Sequence, residues 1–141
     1  VSLSLAKKIV EDGEGATRII KVVVKNASIS LKAKTIAEKV ATSNLVKTAI
    51  FGRDPNWGRI VASAGSTPFS IDQFKLRVYI GNHLVYDGKP HPKAVEAAKR
   101  YLEENREIEI TLDLREGKES WTYYTSDLTY DYIKINAEYT T

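Results

Sequence analysis

Thr17-Arg18-Ile19-Ile20-Lys21-Val22-Val23-Val24 is the stretch that decides the fold class. It is β-branched and nearly continuous, the pattern of a strand buried inside a sheet. Upstream of it, Leu5, Ala6, Ile9 and Val10 recur at helical spacing with Lys7, Lys8 and Glu11 opposite, so residues 2–12 read as a helix stopped by Gly13. Downstream, Ala33, Ile36, Ala37, Val40 and Ala41 form the apolar face of a second helix over 30–43. Lys32, Lys34, Glu38 and Lys39 make its wet face. The short apolar run 45–51 reads as a strand. Asp54-Pro55 reads as an N-cap and a first-turn proline, opening a helix through Trp57, Ile60, Val61 and Ala64 to Gly65.

Residues 74–80 alternate, with Leu76, Val78 and Ile80 inward and Lys75, Arg77 and Tyr79 outward. Gly81-Asn82 is a tight-turn signal, and residues 83–86 follow as the hairpin partner. Pro92 opens a helix to Asn105 whose buried stripe is Ala94, Val95, Ala98, Tyr101 and Leu102. Residues 106–114 alternate again, with Ile108, Ile110, Leu112 and Leu114 inward. A turn at 115–118 leads into a strand over 119–125, and residues 127–139 fit either a short capped helix or a strand. Hairpins mixed with packing helices define an α+β class, a hairpin-containing mixed sheet packed with helices. Residues 1–141 read as one unit, with a sub-boundary near 66–70 at Ser66-Thr67-Pro68.

The 141 residues are 43% hydrophobic and 28% charged, which suits one globular domain. Its 21 basic and 18 acidic residues are interspersed, which argues against a nucleic-acid arm or a polybasic membrane patch. Cysteine is absent, which rules out a disulfide framework or thiolate chemistry and allows a cytoplasmic home. The two histidines, His83 and His91, are not spaced as a metal pair, so no metal site is expected. No apolar stretch approaches the roughly 20 residues of a membrane helix. The chain contains no methionine and starts at Val1, so it reads as a processed or partial chain.

Three segments can carry chemistry. In Asp12-Gly13-Glu14-Gly15-Ala16-Thr17, glycines flank a carboxylate that can hold a substrate ammonium; a helix stop with a solvated acid is the plainer alternative. In Gly52-Arg53-Asp54-Pro55-Asn56-Trp57-Gly58-Arg59-Ile60, a capped helix start offers N–H groups to an anion, with Arg53 and Arg59 to assist; the alternative is a capped helix whose arginines pair with surface acids. In the tail, Asn136 offers a donor and an acceptor, and Thr141 a hydroxyl and the terminal carboxylate; the alternative is a segment that covers an apolar face. No catalytic set is visible, and Val1 lacks the side-chain hydroxyl or thiol of an N-terminal nucleophile.

Asp-Gly-Glu-Gly-Ala-Thr at 12–17, Leu-Val-Lys-Thr-Ala at 45–49, Gly-Arg-Asp-Pro-Asn-Trp-Gly-Arg-Ile at 52–60 and the ending Ile-Asn-Ala-Glu-Tyr-Thr-Thr at 135–141 occur in that order. Together they closely resemble the C-terminal part of the β chain of the ornithine acetyltransferase (glutamate N-acetyltransferase) family. The resemblance implies a DmpA/ornithine-acetyltransferase-like fold. It implies a precursor that cuts itself before a threonine, which then carries an acetyl group from N-acetylornithine to glutamate in a ping-pong cycle of arginine biosynthesis. It also implies partners, an α chain and the remainder of the β chain in an α2β2 assembly, and it implies no metal or cofactor. The family's substrate-binding glutamate, asparagine and final threonine map to Glu14, Asn136 and Thr141. The nucleophile-bearing start of a family β chain has no counterpart here, so no threonine of this chain is assigned as nucleophile. The rival expectation is a non-catalytic module that binds an amino acid or assembles with a partner.

Overall fold

The computed structural model describes residues 18–127. Its elements run β1 (Ile19–Ala27), α1 (Ser30–Thr42), α2 (Asn44–Phe51), α3 (Trp57–Gly65), β2 (Arg77–Ile80), β3 (His83–Tyr86), α4 (Pro92–Glu104), β4 (Glu107–Asp113) and β5 (Glu119–Ser126). The helix expected over 2–12 and the segment after Asp127 lie outside the described residues.

The strands form one mixed sheet in the order β3-β2-β4-β1-β5. β1 runs parallel to β4 and antiparallel to β5, and β2 is antiparallel to both β3 and β4. This is the α+β, hairpin-containing mixed sheet expected from the sequence. β1 precedes residues 66–70 and the other four strands follow them, so the two sides share one sheet.

Alternation along β1 explains the layering. Ile20, Val22 and Val24 are buried on one face, beside Ile108, Ile110 and Leu112 of β4 and Val78 and Ile80 of β2. All four helices contribute to the same core, through residues such as Ile36 and Val40 of α1, Ile50 of α2, Ile60 of α3 and Leu102 of α4. On the opposite face Lys21, Val23 and Lys25 are half-buried or exposed. The Lys21–Glu109 contact there, at 3.9 Å, joins side chains 38% and 47% exposed, so it adds little to stability.

Three expectations are corrected. Residues 45–51 are helical, because the buried positions Val46, Ala49 and Ile50 fall three and four apart and Leu45 is exposed. The Ser43 side chain caps that helix, accepting from the Val46 N–H at 3.3 Å. Lys32 is buried, not on a wet face: its Nζ donates to Ser70 O at 2.7 Å and lies 2.8 Å from Glu116 Oε1. Asp54 is not the cap of the third described helix; Asn56 is.

The β4–β5 turn wraps a left-handed residue of β1. Asn26 has φ 57°, and its carbonyl accepts from the N–H groups of Glu116 and Gly117 at 2.8 and 2.9 Å. Its Nδ2 donates to Asp113 Oδ1 at 2.9 Å. Gly117 passes so close that a Cβ there would stand 2.6 Å from Ala27 O. Backbone cannot swing aside as a flexible side chain can. Gly117→Ala is therefore expected to destabilise the folded protein by about 1–3 kcal/mol, the usual cost of overpacking, as read from the urea midpoint. An unchanged midpoint contradicts the close approach.

Candidate functional site

Antiparallel pairing sets Ile19 opposite Ser126, so the next residues out, Arg18 and Asp127, meet at one end of the sheet. They are 109 positions apart in sequence. The Arg18 N–H donates to Asp127 Oδ1 at 2.8 Å, and the Asp127 N–H donates to Arg18 O at 3.2 Å. The Arg18 guanidinium donates from Nε and Nη2 to Leu102 O at 3.2 and 3.0 Å. That carbonyl belongs to the last turn of α4, where helix carbonyls lack intrahelical partners and the dipole favours a cation. Nη1 lies 3.8 Å from Asp127 Oδ2, too far for a hydrogen bond. Arg18 and Asp127 are only 6% and 3% exposed. Burial, and then the charge of Arg53, lower the Arg18 pKa, while Asp127 raises it.

The block around Arg53 packs as a helix corner. Arg53 itself takes a left-handed φ of 56° just after α2, and its Nη1 donates to Phe51 O at 2.7 Å. Asn56 Oδ1 accepts from the Arg59 N–H at 3.1 Å, capping α3, while its Nδ2 donates to Asp54 Oδ2 at 3.1 Å. Asp54 is held back by its own N–H, which donates to Ala49 O at 2.8 Å. The Arg59 guanidinium donates to Leu45 O at 2.9 Å and to Thr48 Oγ1 at 3.3 Å, tying α3 to α2. Trp57 stacks on Tyr86 with centroids 4.9 Å apart and planes 19° from parallel. Arg59, Asn56 and Trp57 thus hold a helix corner together, the plainer of the two readings of this block, with backbone and hydroxyl oxygens in place of surface acids around Arg59.

Glu14, Asn136 and Thr141 lie outside the described residues. What the structure brings together is their points of attachment. The chain enters the described region at Arg18, four residues after Glu14, and leaves it at Asp127, nine before Asn136. An open cavity of about 340 Å³ sits at the same end of the sheet, lined by Ile19, Lys21, Tyr101, Glu107, Glu109 and Tyr124. Among the described residues no group of three His, Asp or Glu side chains can hold a metal. His91 Nε2 is instead within 2.7 Å of Asp87 Oδ1, and the Asp87 pKa is lowered, chiefly by that hydrogen bond. No described helix is long and apolar enough to cross a membrane.

In the sequence neither Arg18 nor Asp127 stands in a motif that suggests a role. One signal was present: an arginine inside an otherwise apolar strand run is a charge heading for burial, which demands a partner. Nothing local in the sequence points to a partner at Asp127.

The fold and this end of the sheet define an α+β segment with both terminal stretches, and the motifs they carry, attached at one place. The chain belongs to the ArgJ family, whose model matches residues 1–141. It is 62% identical over its whole length to the arginine biosynthesis bifunctional protein ArgJ of Aquifex aeolicus, covering 37% of that relative. It is 45% identical over 145 aligned residues to the glutamate N-acetyltransferase of Methanopyrus kandleri, again covering 37% of it. The crystal structure of the arginine biosynthesis bifunctional protein ArgJ of Bacillus halodurans superposes with a TM-score of 0.88 at 39% identity. That match covers 96% of this chain and 64% of the crystallised one. The chain thus spans little more than a third of the length of these curated relatives.

Removing the α3 cap tests the structural account of the Asn56 block. Asn56→Ala is expected to cost about 1 kcal/mol of stability and Asn56→Ser much less, because serine also caps well. Thermal unfolding of both variants measures the difference, and equal losses contradict the cap.

Proposed function

We propose that this chain is the substrate-binding C-terminal part of a glutamate N-acetyltransferase. The enzyme is a threonine-nucleophile acyltransferase that moves an acetyl group from N-acetylornithine to glutamate in arginine biosynthesis. The match to ArgJ proteins along the whole chain, at up to 62% identity, carries this reading. The chemistry of the motifs agrees with it. Glu14 supplies a carboxylate for the substrate ammonium, and Asn136 and Thr141 supply amide, hydroxyl and carboxylate groups for its polar ends. The shared attachment of the two stretches at Arg18 and Asp127 supports their acting on one ligand.

The nucleophile lies in another segment. The reaction proceeds through its acetyl ester: the threonine oxygen attacks the acetyl carbonyl, the ornithine amine leaves with a proton, and the glutamate amine then takes the acetyl group and restores the hydroxyl. This chain binds and orients both amino acids. Its partners are an α chain and the rest of the β chain of the same precursor, in an α2β2 assembly in the cytoplasm. The part-exposed sheet face around Lys21, Val23 and Lys25 suits a segment that is one piece of a larger body.

Glu14→Ala in the full-length enzyme is expected to lower kcat/KM about ten- to one-hundred-and-fifty-fold, the loss of one charge-assisted contact of roughly 1.5–3 kcal/mol. Its thermal midpoint should stay near that of wild type. Steady-state kinetics check the first and a melting curve the second. Wild-type kinetics in that variant contradict the site assignment.

A further inference from the structure

We propose that β5 is an interaction edge: it pairs antiparallel with β5 of a second copy of this chain and joins two five-stranded sheets into one. The inference requires nothing of the substrate-binding reading.

The two edges of the sheet are built differently. At one edge β3 has only four residues, and the turn after it folds back over its outer side. Tyr86 bridges to Pro90, and the His91 N–H donates to Val85 O at 3.2 Å. Proline there offers no N–H to an incoming strand. At the other edge β5 runs for eight residues without a proline. Among the described residues it has a neighbour on one side alone, β1. A long edge of that kind presents a row of N–H and C=O groups that template the pairing of another strand.

The ladder fixes which groups those are. The Asp127 N–H donates across it to Arg18 O at 3.2 Å. Backbone groups of an antiparallel strand face a given neighbour at every second residue. Tyr123 and Thr125 therefore face β1, while Thr122, Tyr124 and Ser126 turn their N–H and C=O outward. Apolar surface flanks the same edge. Among the described residues five large apolar side chains are exposed, and three of them, Ile29, Leu31 and Trp121, lie at β5. Ser30 Oγ donates to Glu119 Oε2 at 3.1 Å, which sets the start of α1 against the start of β5. Lys34 Nζ stands 5.4 Å from the Trp121 ring centre.

Self-complementarity names the occupant. Over 119–126 the strand carries a single charge, Glu119. With a two-fold axis at Thr122, Glu119 stands opposite Thr125 of the other copy, so no like charges are opposed. Trp121 stands opposite Tyr123 of the other copy, and the symmetry makes that aromatic pair twice. Both rings lie on the helix-bearing face, because their partners in β1 are the core residues Val24 and Val22. The outward groups of Thr122 meet their own image as a hydrogen-bonded pair. Only a copy of the same strand brings all of these matches by symmetry.

The test is a cross-link in the full-length protein. This chain has no cysteine, and Thr122 is exposed, so Thr122→Cys adds one thiol at the axis without disturbing the core. Residues directly opposite in a hydrogen-bonded antiparallel pair have Cα atoms about 5.5 Å apart, within the span of a disulfide. Lys89→Cys, exposed in the turn at the β3 edge, measures linking by random collision. Mild oxidation is expected to link Thr122→Cys chains to one another, through residue 122 of each, roughly tenfold more than Lys89→Cys chains. Peptide mass analysis locates the link, and a melting curve verifies that the variant is folded. A folded Thr122→Cys protein that does not self-link overturns the proposal, and so does equal linking of the two variants. Slow hydrogen exchange at the Thr122 and Tyr124 amides without the self-link also overturns it, and assigns the edge to a strand of different sequence.

Discussion

The pairing of β1 with β5 is the constraint on which the rest of this structure depends. It places residues 18 and 127 side by side, although nearly the whole described chain lies between them. The buried Arg18–Asp127 contact closes that pairing at its outer end, and the Arg18 guanidinium carries it on to α4.

α4 and β4 also reach this end, through Leu102 O, Tyr101, Glu107 and Glu109. The core rows of β1 and β4 bury Ile20, Val22, Ile108 and Ile110 under the helices. The corner between α2 and α3 is tightened by the Asn56 cap, the Arg59 crosslink and the Trp57–Tyr86 stack. It leaves Arg53 in a left-handed conformation, with its charge felt at Arg18. A sequence block that looks like an anion site is thus explained by packing, apart from Arg53 itself.

The sheet was legible because its strands alternate or run β-branched: β1, β2, β4 and β5 could be placed within a few residues, and Gly81-Asn82 marked the β2–β3 hairpin. Helix α2 reads as a strand in sequence because a short apolar run carries too few residues to separate period two from period 3.6. The Ser43 cap just before it is the local signal of a helix. Asp-Pro is a common helix start and so points to Asp54 as the α3 cap, whereas the bond that decides the cap is made by Asn56, the residue just before Trp57. Helical periodicity places Lys32 on a wet face because it cannot foresee a glutamate from a distant turn. The same limit hid the Arg18–Asp127 pair. The family was legible from contiguous motifs, and the matches along all 141 residues bear that out. The assignments to Glu14, Asn136 and Thr141 rest on the resemblance and on their chemistry.

The central claim is that this chain binds substrate for a nucleophile located elsewhere. The most direct measurement is the intact mass of every chain in the native assembly before and after incubation with N-acetylornithine. The account predicts an acetyl adduct on a companion segment that begins with threonine, and none on this chain. No adduct on any chain, with the companion present and folded, would contradict it and leave a non-catalytic module as the better reading.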